Sequence, residues 1–216
     1  MRIPAGLLGI SPGLARDKRG ARKLLGQVEA AFKAGLPGVS IREPGLSDAD
    51  LFELTGTCLE LAAANGGAWV GVHDSLHVAL AAGAHGVHLG WRSLSLEAAR
   101  QAAGEGLALG YSAHVCDGAD PAALDLADYL CFGPVLDTPS KAGLLEPTGW
   151  QVLREFCASS PRPVWALGGL GPAEVRAALD AGAQGVAAIG GLFGAEDIAS
   201  ATAAYLAAWD SSGAGT

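Results

Sequence analysis

Polar and titratable side chains in this 216-residue sequence gather where short apolar runs end. Arg42-Glu43 closes one run, His73-Asp74 another, His88 a third with Trp91-Arg92 behind it, and Ser112 and His114 a fourth. A later run leads into Asp137-Thr138-Pro139-Ser140-Lys141, and the last two end in Gly168-Gly169 and Gly190-Gly191. Three of five histidines at such positions suit proton transfer, because an imidazole titrates near neutral pH. The two Gly-Gly pairs suit a phosphate. Without a Cβ an anion reaches the bare N–H groups, and Gly190-Gly191 opens a helical segment whose N-terminus favours negative charge. Thr138, Ser140 and Lys141 place two hydroxyls and a cation on one loop, donors for an anionic group. Asp74 is either a Mg²⁺ ligand, if phosphate oxygens help to complete the shell, or the N-cap of a helix over Ser75 to Ala82.

Something regular must hold these ends together, and a repeat shows what it is. Ala34-Gly35-Leu36-Pro37-Gly38-Val39, Ala82-Gly83-Ala84-His85-Gly86-Val87 and Ala181-Gly182-Ala183-Gln184-Gly185-Val186 share the pattern A-G-x-x-G-V. Each reads as a helix closed by a C′ glycine and followed at once by a buried strand. The first glycines of the three copies lie 48 and 99 residues apart, near two and four units of about 25 residues, the size of a strand–helix unit. Eight strands follow: Leu7 to Ile10, Val39 to Arg42, Trp69 to His73, Val87 to Leu89, Leu107 to Ser112, Tyr129 to Phe132, Val164 to Leu167 and Val186 to Ile189. All are short, apolar and non-alternating, as parallel strands buried on both faces should be. Ser47 caps a helix with Leu51, Leu54, Cys58 and Leu61 on one face, Gly171-Pro172-Ala173-Glu174 starts another, and the weakest helix lies near Asp120 to Leu126. The expected fold is a single-domain α/β protein, a closed (β/α)8 TIM barrel over residues 1–210 with a flexible tail over 211–216. Its strand ends would form the mouth where barrel enzymes do their chemistry.

Composition removes other classes. Lys and Arg number 14 against 22 Asp and Glu, a net charge of −8 without a basic stripe, which argues against a nucleic-acid partner. Cys58, Cys116, Cys131 and Cys157 form no Cys-x-x-Cys pair, so neither a disulfide framework nor a structural zinc is expected. With no run of about 18 apolar residues and no signal-peptide pattern, no membrane span is expected and a cytoplasmic location is the default. Five tryptophans, Trp91 at the expected mouth among them, would cover a substrate or pack in a homo-oligomer contact.

Taken together, several motifs resemble the thiamine phosphate synthase/TenI family. They are Ser40-Ile41-Arg42-Glu43, Ala82-Gly83-Ala84-His85-Gly86-Val87-His88-Leu89-Gly90, Gly110-Tyr111-Ser112-Ala113-His114, Asp128-Tyr129-Leu130-Cys131-Phe132-Gly133-Pro134-Val135 with Thr138-Pro139-Ser140-Lys141, and Ala166-Leu167-Gly168-Gly169-Leu170. The match runs in order from about residue 6 to 206. The resemblance implies a phosphate-binding (β/α)8 barrel with one of two activities. A synthase joins a hydroxymethylpyrimidine diphosphate to a thiazole phosphate with Mg²⁺ on the diphosphate; a tautomerase isomerises a carboxylated thiazole phosphate without metal.

The departures from the synthase pattern direct the expectation. Gln-Leu-Arg-Glu-Lys is replaced by Ser40-Ile41-Arg42-Glu43-Pro44, Asn-Asp by His73-Asp74, and the stretch ending in an acidic Mg²⁺ ligand by Gly90-Trp91-Arg92-Ser93. One metal carboxylate is missing. The thiazole-phosphate side is kept: Ser112, Thr138, Ser140, Lys141, Gly168, Gly169, Gly190 and Gly191 would hold substrate and phosphate. His114 matches the family's proton-transfer histidine, and Arg42 or His73 would position a carboxylate. The resemblance thus points first to a TenI-like thiazole tautomerase, an isomerase with a small-molecule thiazole phosphate as partner and no cofactor. The alternatives are a thiamine phosphate synthase using Mg²⁺ at Asp74 and a catalytically silent phosphate-binding barrel.

Overall fold

The computed structural model describes residues 3, 6–90, 92–114, 121–138 and 145–212. Eight parallel strands close into a barrel in sequence order: β1 (Gly6–Ile10), β2 (Gly38–Ile41), β3 (Trp69–His73), β4 (Gly86–Leu89), β5 (Ala108–Ala113), β6 (Tyr129–Phe132), β7 (Val164–Leu167) and β8 (Gly185–Ala188). Closure is direct, with Gly6 of β1 in register with Gly185 of β8. The helices are α1 (Lys18–Lys33), α2 (Asp48–Ala64), α3 (Leu76–Ala82), α4 (Leu96–Ala103), α5 (Pro121–Leu124), α6 (Gly149–Ser159), α7 (Val175–Asp180), α8 (Gly190–Phe193) and α9 (Ile198–Asp210), with a 3-10 turn at Pro172–Glu174 before α7. The (β/α)8 expectation holds.

Local sequence explains the punctuation. Gly35, Gly83 and Gly182, the first glycines of the repeat, all have positive φ (94°, 69° and 94°), and each following strand starts at the second glycine. A left-handed residue is needed to end the helix before the chain turns inward, and glycine adopts it without a Cβ clash. Asp17, Ser47, Ser95 and Asp197 accept from backbone N–H groups three residues on, starting α1, α2, α4 and α9. The weak helix between β5 and β6 is reduced to the single turn of α5.

Each strand packs on both sides. One side chain set, including Val39, Val70, Val87 and Leu130, meets the helices. The other fills the barrel axis, where Trp69, Tyr129 and Trp165 form an edge-to-face column with ring centroids 6.1 and 5.8 Å apart. Those rings require glycines beside them. A Cβ on Gly71 or Gly86 would run into Trp69, and one on Gly110 would overlap Tyr129 and sit 2.6 Å from His88 Nδ1. The interior is therefore a packed core closed from below, and chemistry is left to the C-terminal mouth.

Candidate functional site

The mouth has two sides. On one, the ends of β6, β7 and β8 surround a cavity of about 590 Å³ lined by His114, Thr138, Gly168, Gly169, Gly190 and Gly191, with Glu174 at its edge. Gly168 and Gly169 have φ of 99° and 70°, and their added Cβ atoms would meet Pro134 and the backbone of Leu136 and Asp137. Only glycine lets this turn fold so close to the β6 loop. Gly190 and Gly191 are the first two residues of α8, so their N–H groups belong to the unpaired first turn of a helix. His114 follows β5, and its Nδ1 lies 2.5 Å from the Gly133 carbonyl. A carbonyl only accepts, so Nδ1 carries a proton. Ser140 and Lys141 lie outside the described residues, as do Trp91 and Cys116.

On the other side, the ends of β1 to β5 hold a polar network. Ser40 Oγ and His73 Nδ1 are 2.9 Å apart, and the His73 and His88 rings stand 4.5 Å apart. His88 bonds to the Tyr129 hydroxyl through Nδ1 (3.2 Å) and to Ser112 Oγ through Nε2 (2.8 Å). Burial holds His88 well below the ordinary imidazole pKa, with His73 adding to the effect, and burial together with Arg42 lowers His73 to about 3. Both rings are neutral at physiological pH. Asp74 has φ of 61° and accepts from the Ser93 hydroxyl, while Ser93 Oγ accepts from Gly90 N at 2.8 Å.

Several residues differ from their expected places. His88 is 1% exposed, inside the barrel below the mouth, and Ser112 is turned toward it; neither lines the cavity. Arg42 is exposed beside His73, also away from that cavity. Asp74 does not cap α3: its N-cap is Ser75, without a side-chain bond. Glu43, which reads as reactive in the sequence, is buried and accepts from Gly13 N (3.0 Å) and Ala15 N (2.7 Å), tying down the β1–α1 loop. Its only sequence signal is the glycine-rich stretch at 9–13 that leaves N–H groups to satisfy.

This is a (β/α)8 barrel whose mouth sets a glycine-lined cavity beside a neutral histidine network. The family model for thiamine monophosphate synthase matches residues 14–192, and the chain belongs to that family. It is 36% identical over 182 residues to the thiamine-phosphate synthase of Moorella thermoacetica, covering 84% of this chain and 86% of that one. It is also 36% identical over 184 residues to the thiamine-phosphate synthase of Gloeobacter violaceus, covering 85% of this chain and 53% of that longer protein. A solved thiamine phosphate pyrophosphorylase from Pyrococcus furiosus superposes with a TM-score of 0.80 at 26% identity, covering 96% of each chain. These relatives overturn the tautomerase expectation. Their names describe a transferase, not an isomerase, and favour the synthase alternative.

Proposed function

We propose that this protein is a thiamine-phosphate synthase, coupling a hydroxymethylpyrimidine diphosphate to a thiazole phosphate and releasing pyrophosphate. The observation that carries the reading is the cavity in which the Gly168-Gly169 turn and the start of α8 meet. Both glycine pairs line it, and in this reading their backbone N–H groups hold the single phosphate of the thiazole substrate. Thr138 lines the same space, and Ser140 and Lys141 complete the donor set in this reading. His114, beside the cradle, is oriented by its bond to Gly133 and contacts the heterocycle.

The second substrate occupies the β2–β4 side of the mouth. Arg42 supplies positive charge to its diphosphate, and the neutral His73–His88 pair floors its ring without adding charge. In the reaction the thiazole nitrogen bonds to the pyrimidine's methylene carbon as that carbon's bond to the diphosphate oxygen breaks. Pyrophosphate leaves with the bonding electrons.

The family implies Mg²⁺, and Asp74 with the Ser93 hydroxyl fits it. Among the described residues no cluster of three metal-binding side chains exists. Magnesium, however, commonly takes one or two carboxylates and draws its other ligands from substrate phosphate and water. Bound there, the ion would neutralise charge on the departing diphosphate. Asp74 is held for this by its Ser93 bond at the exposed mouth. A cytoplasmic location belongs to the same reading; among the described residues no helix is long and apolar enough to cross a membrane.

The test is direct. The purified protein, both substrates and Mg²⁺ should yield thiamine phosphate, detected as fluorescent thiochrome after oxidation, and chelator should abolish the product. No product at saturating substrates and Mg²⁺ would refute the proposal.

A further inference from the structure

An anion cradle must present N–H groups and turn its carbonyls elsewhere, because a carbonyl oxygen facing a phosphate repels it. Along β7 and its loop three carbonyls are accounted for. Leu167 O accepts from Val135 N (2.9 Å) and Gly168 O from Leu136 N (3.1 Å), both in the backbone that follows β6. The third, Leu170 O, accepts at 2.7 Å from the hydroxyl of Tyr205, 35 residues further on in α9. The N–H of the same peptide unit, at Gly171, donates to Glu174 Oε2 at 2.8 Å. A peptide unit carries its C=O and N–H on opposite edges, so two side chains on the two edges fix the orientation of the whole plane.

Tyr205 does more than bond to this peptide. It is 1% exposed, and its hydroxyl lies so close under Gly191 that a Cβ there would overlap it. The same oxygen thus bonds to the β7 loop at Leu170 and leaves no room for a side chain at Gly191 in the first turn of α8, so it lies between the two glycine arms. Burial and the nearby Glu174 carboxylate push its pKa up to about 12, so the hydroxyl remains a donor throughout the working range.

We propose that Tyr205 and Glu174 are positioning residues for phosphate recognition: by locking the Leu170–Gly171 peptide and spacing the two glycine arms, they preform the cradle. This rests on the phosphate-site reading above, and the experiment separates the two. Titration calorimetry would compare the thiazole phosphate with its unphosphorylated alcohol. Wild type should bind the phosphate ester at least about tenfold more tightly than the alcohol. In Tyr205→Phe the ester should weaken by about tenfold, the loss of one well-placed hydrogen bond, while the alcohol binds as before. Glu174→Ala should act likewise, and Glu174→Gln should restore ester affinity because its amide oxygen still accepts from Gly171 N. In turnover, KM for the thiazole phosphate should rise by more than kcat falls. If both variants weaken ester and alcohol equally, or weaken neither, the positioning role is refuted and the cradle stands. If wild type itself does not distinguish ester from alcohol, the cradle reading fails and this inference with it.

Discussion

The imidazoles of His73 and His88 stand 4.5 Å apart at a tilt of 38°, a like pair that burial keeps uncharged. Protonating His73 would place a cation beside Arg42, and protonating His88 would bury a charge beside the other histidine. The folded pKa of His73, about 3, lies below the ordinary value of 6.5, so below pH 6.5 the unfolded chain binds more protons than the folded one. Stability from the neutral His73 is fully present above pH 6.5 and is lost as pH falls from 6.5 toward 3, and His88, also lowered, acts in the same direction. The melting temperature measured from pH 7.5 down to 4.5 should fall below 6.5, and in His73→Asn it should fall less steeply. Parallel profiles would remove His73 from the explanation.

Glu43 anchors the β1–α1 loop by accepting from two buried N–H groups. Glu43→Ala strands both donors and should cost about 3 kcal/mol in urea unfolding. Glu43→Gln keeps one acceptor oxygen and should lose roughly half as much. Equal stability of the two variants would show that the carboxylate is not what holds the loop.

The two glycine pairs should respond differently to an added methyl. A Cβ on Gly190 meets nothing within 4 Å, so Gly190→Ala should fold with unchanged melting temperature yet bind the thiazole phosphate about tenfold more weakly, because the methyl crowds the anion's approach. Gly169 has φ of 70°, and its Cβ would lie 2.5 Å from Asp137 O. Gly169→Ala should destabilise the protein by about 2 kcal/mol as well. Thermal shift with and without ligand reads both effects; full ligand affinity in Gly190→Ala would argue against an anion at α8.

At the opposite side of the mouth, Asp74→Ala should reduce thiamine phosphate formation by about 100-fold at fixed Mg²⁺. Ser93→Ala, which removes the hydroxyl that bonds to the carboxylate, should move the Mg²⁺ concentration for half-maximal rate upward by a few-fold. Initial rates over a magnesium series measure both. An Asp74→Ala enzyme with wild-type magnesium dependence would place the ion elsewhere.

The barrel was legible because its punctuation is local. A positive-φ glycine ends a helix by its own stereochemistry, and Gly35, Gly83 and Gly182 announce the strands that follow. The glycine arms at 168–169 and 190–191 were legible as Gly-Gly pairs at the ends of the last two strands. Side-chain direction was not, since a strand that is apolar on both faces gives no period from which to tell axis from exterior. Thus His88 and Ser112 read as mouth residues although they point to each other inside. Tyr205 gave no signal at all, because α9 meets the cradle only after the barrel closes. The activity was misread at Ser93. The absence of an expected carboxylate suggests a lost metal site, but a magnesium ion that borrows substrate oxygens tolerates that loss, and relatives at 36% identity carry the synthase name.

The axial column ties distant positions of the chain to one another. Trp69 occupies the space that side chains at 71 and 86 would need, and Tyr129 does the same to position 110. Each ring and the glycines beside it form one steric unit, Trp69 with 71 and 86, Tyr129 with 110. A smaller residue at 69 would leave a hole in the axis unless a side chain at 71 or 86 filled it.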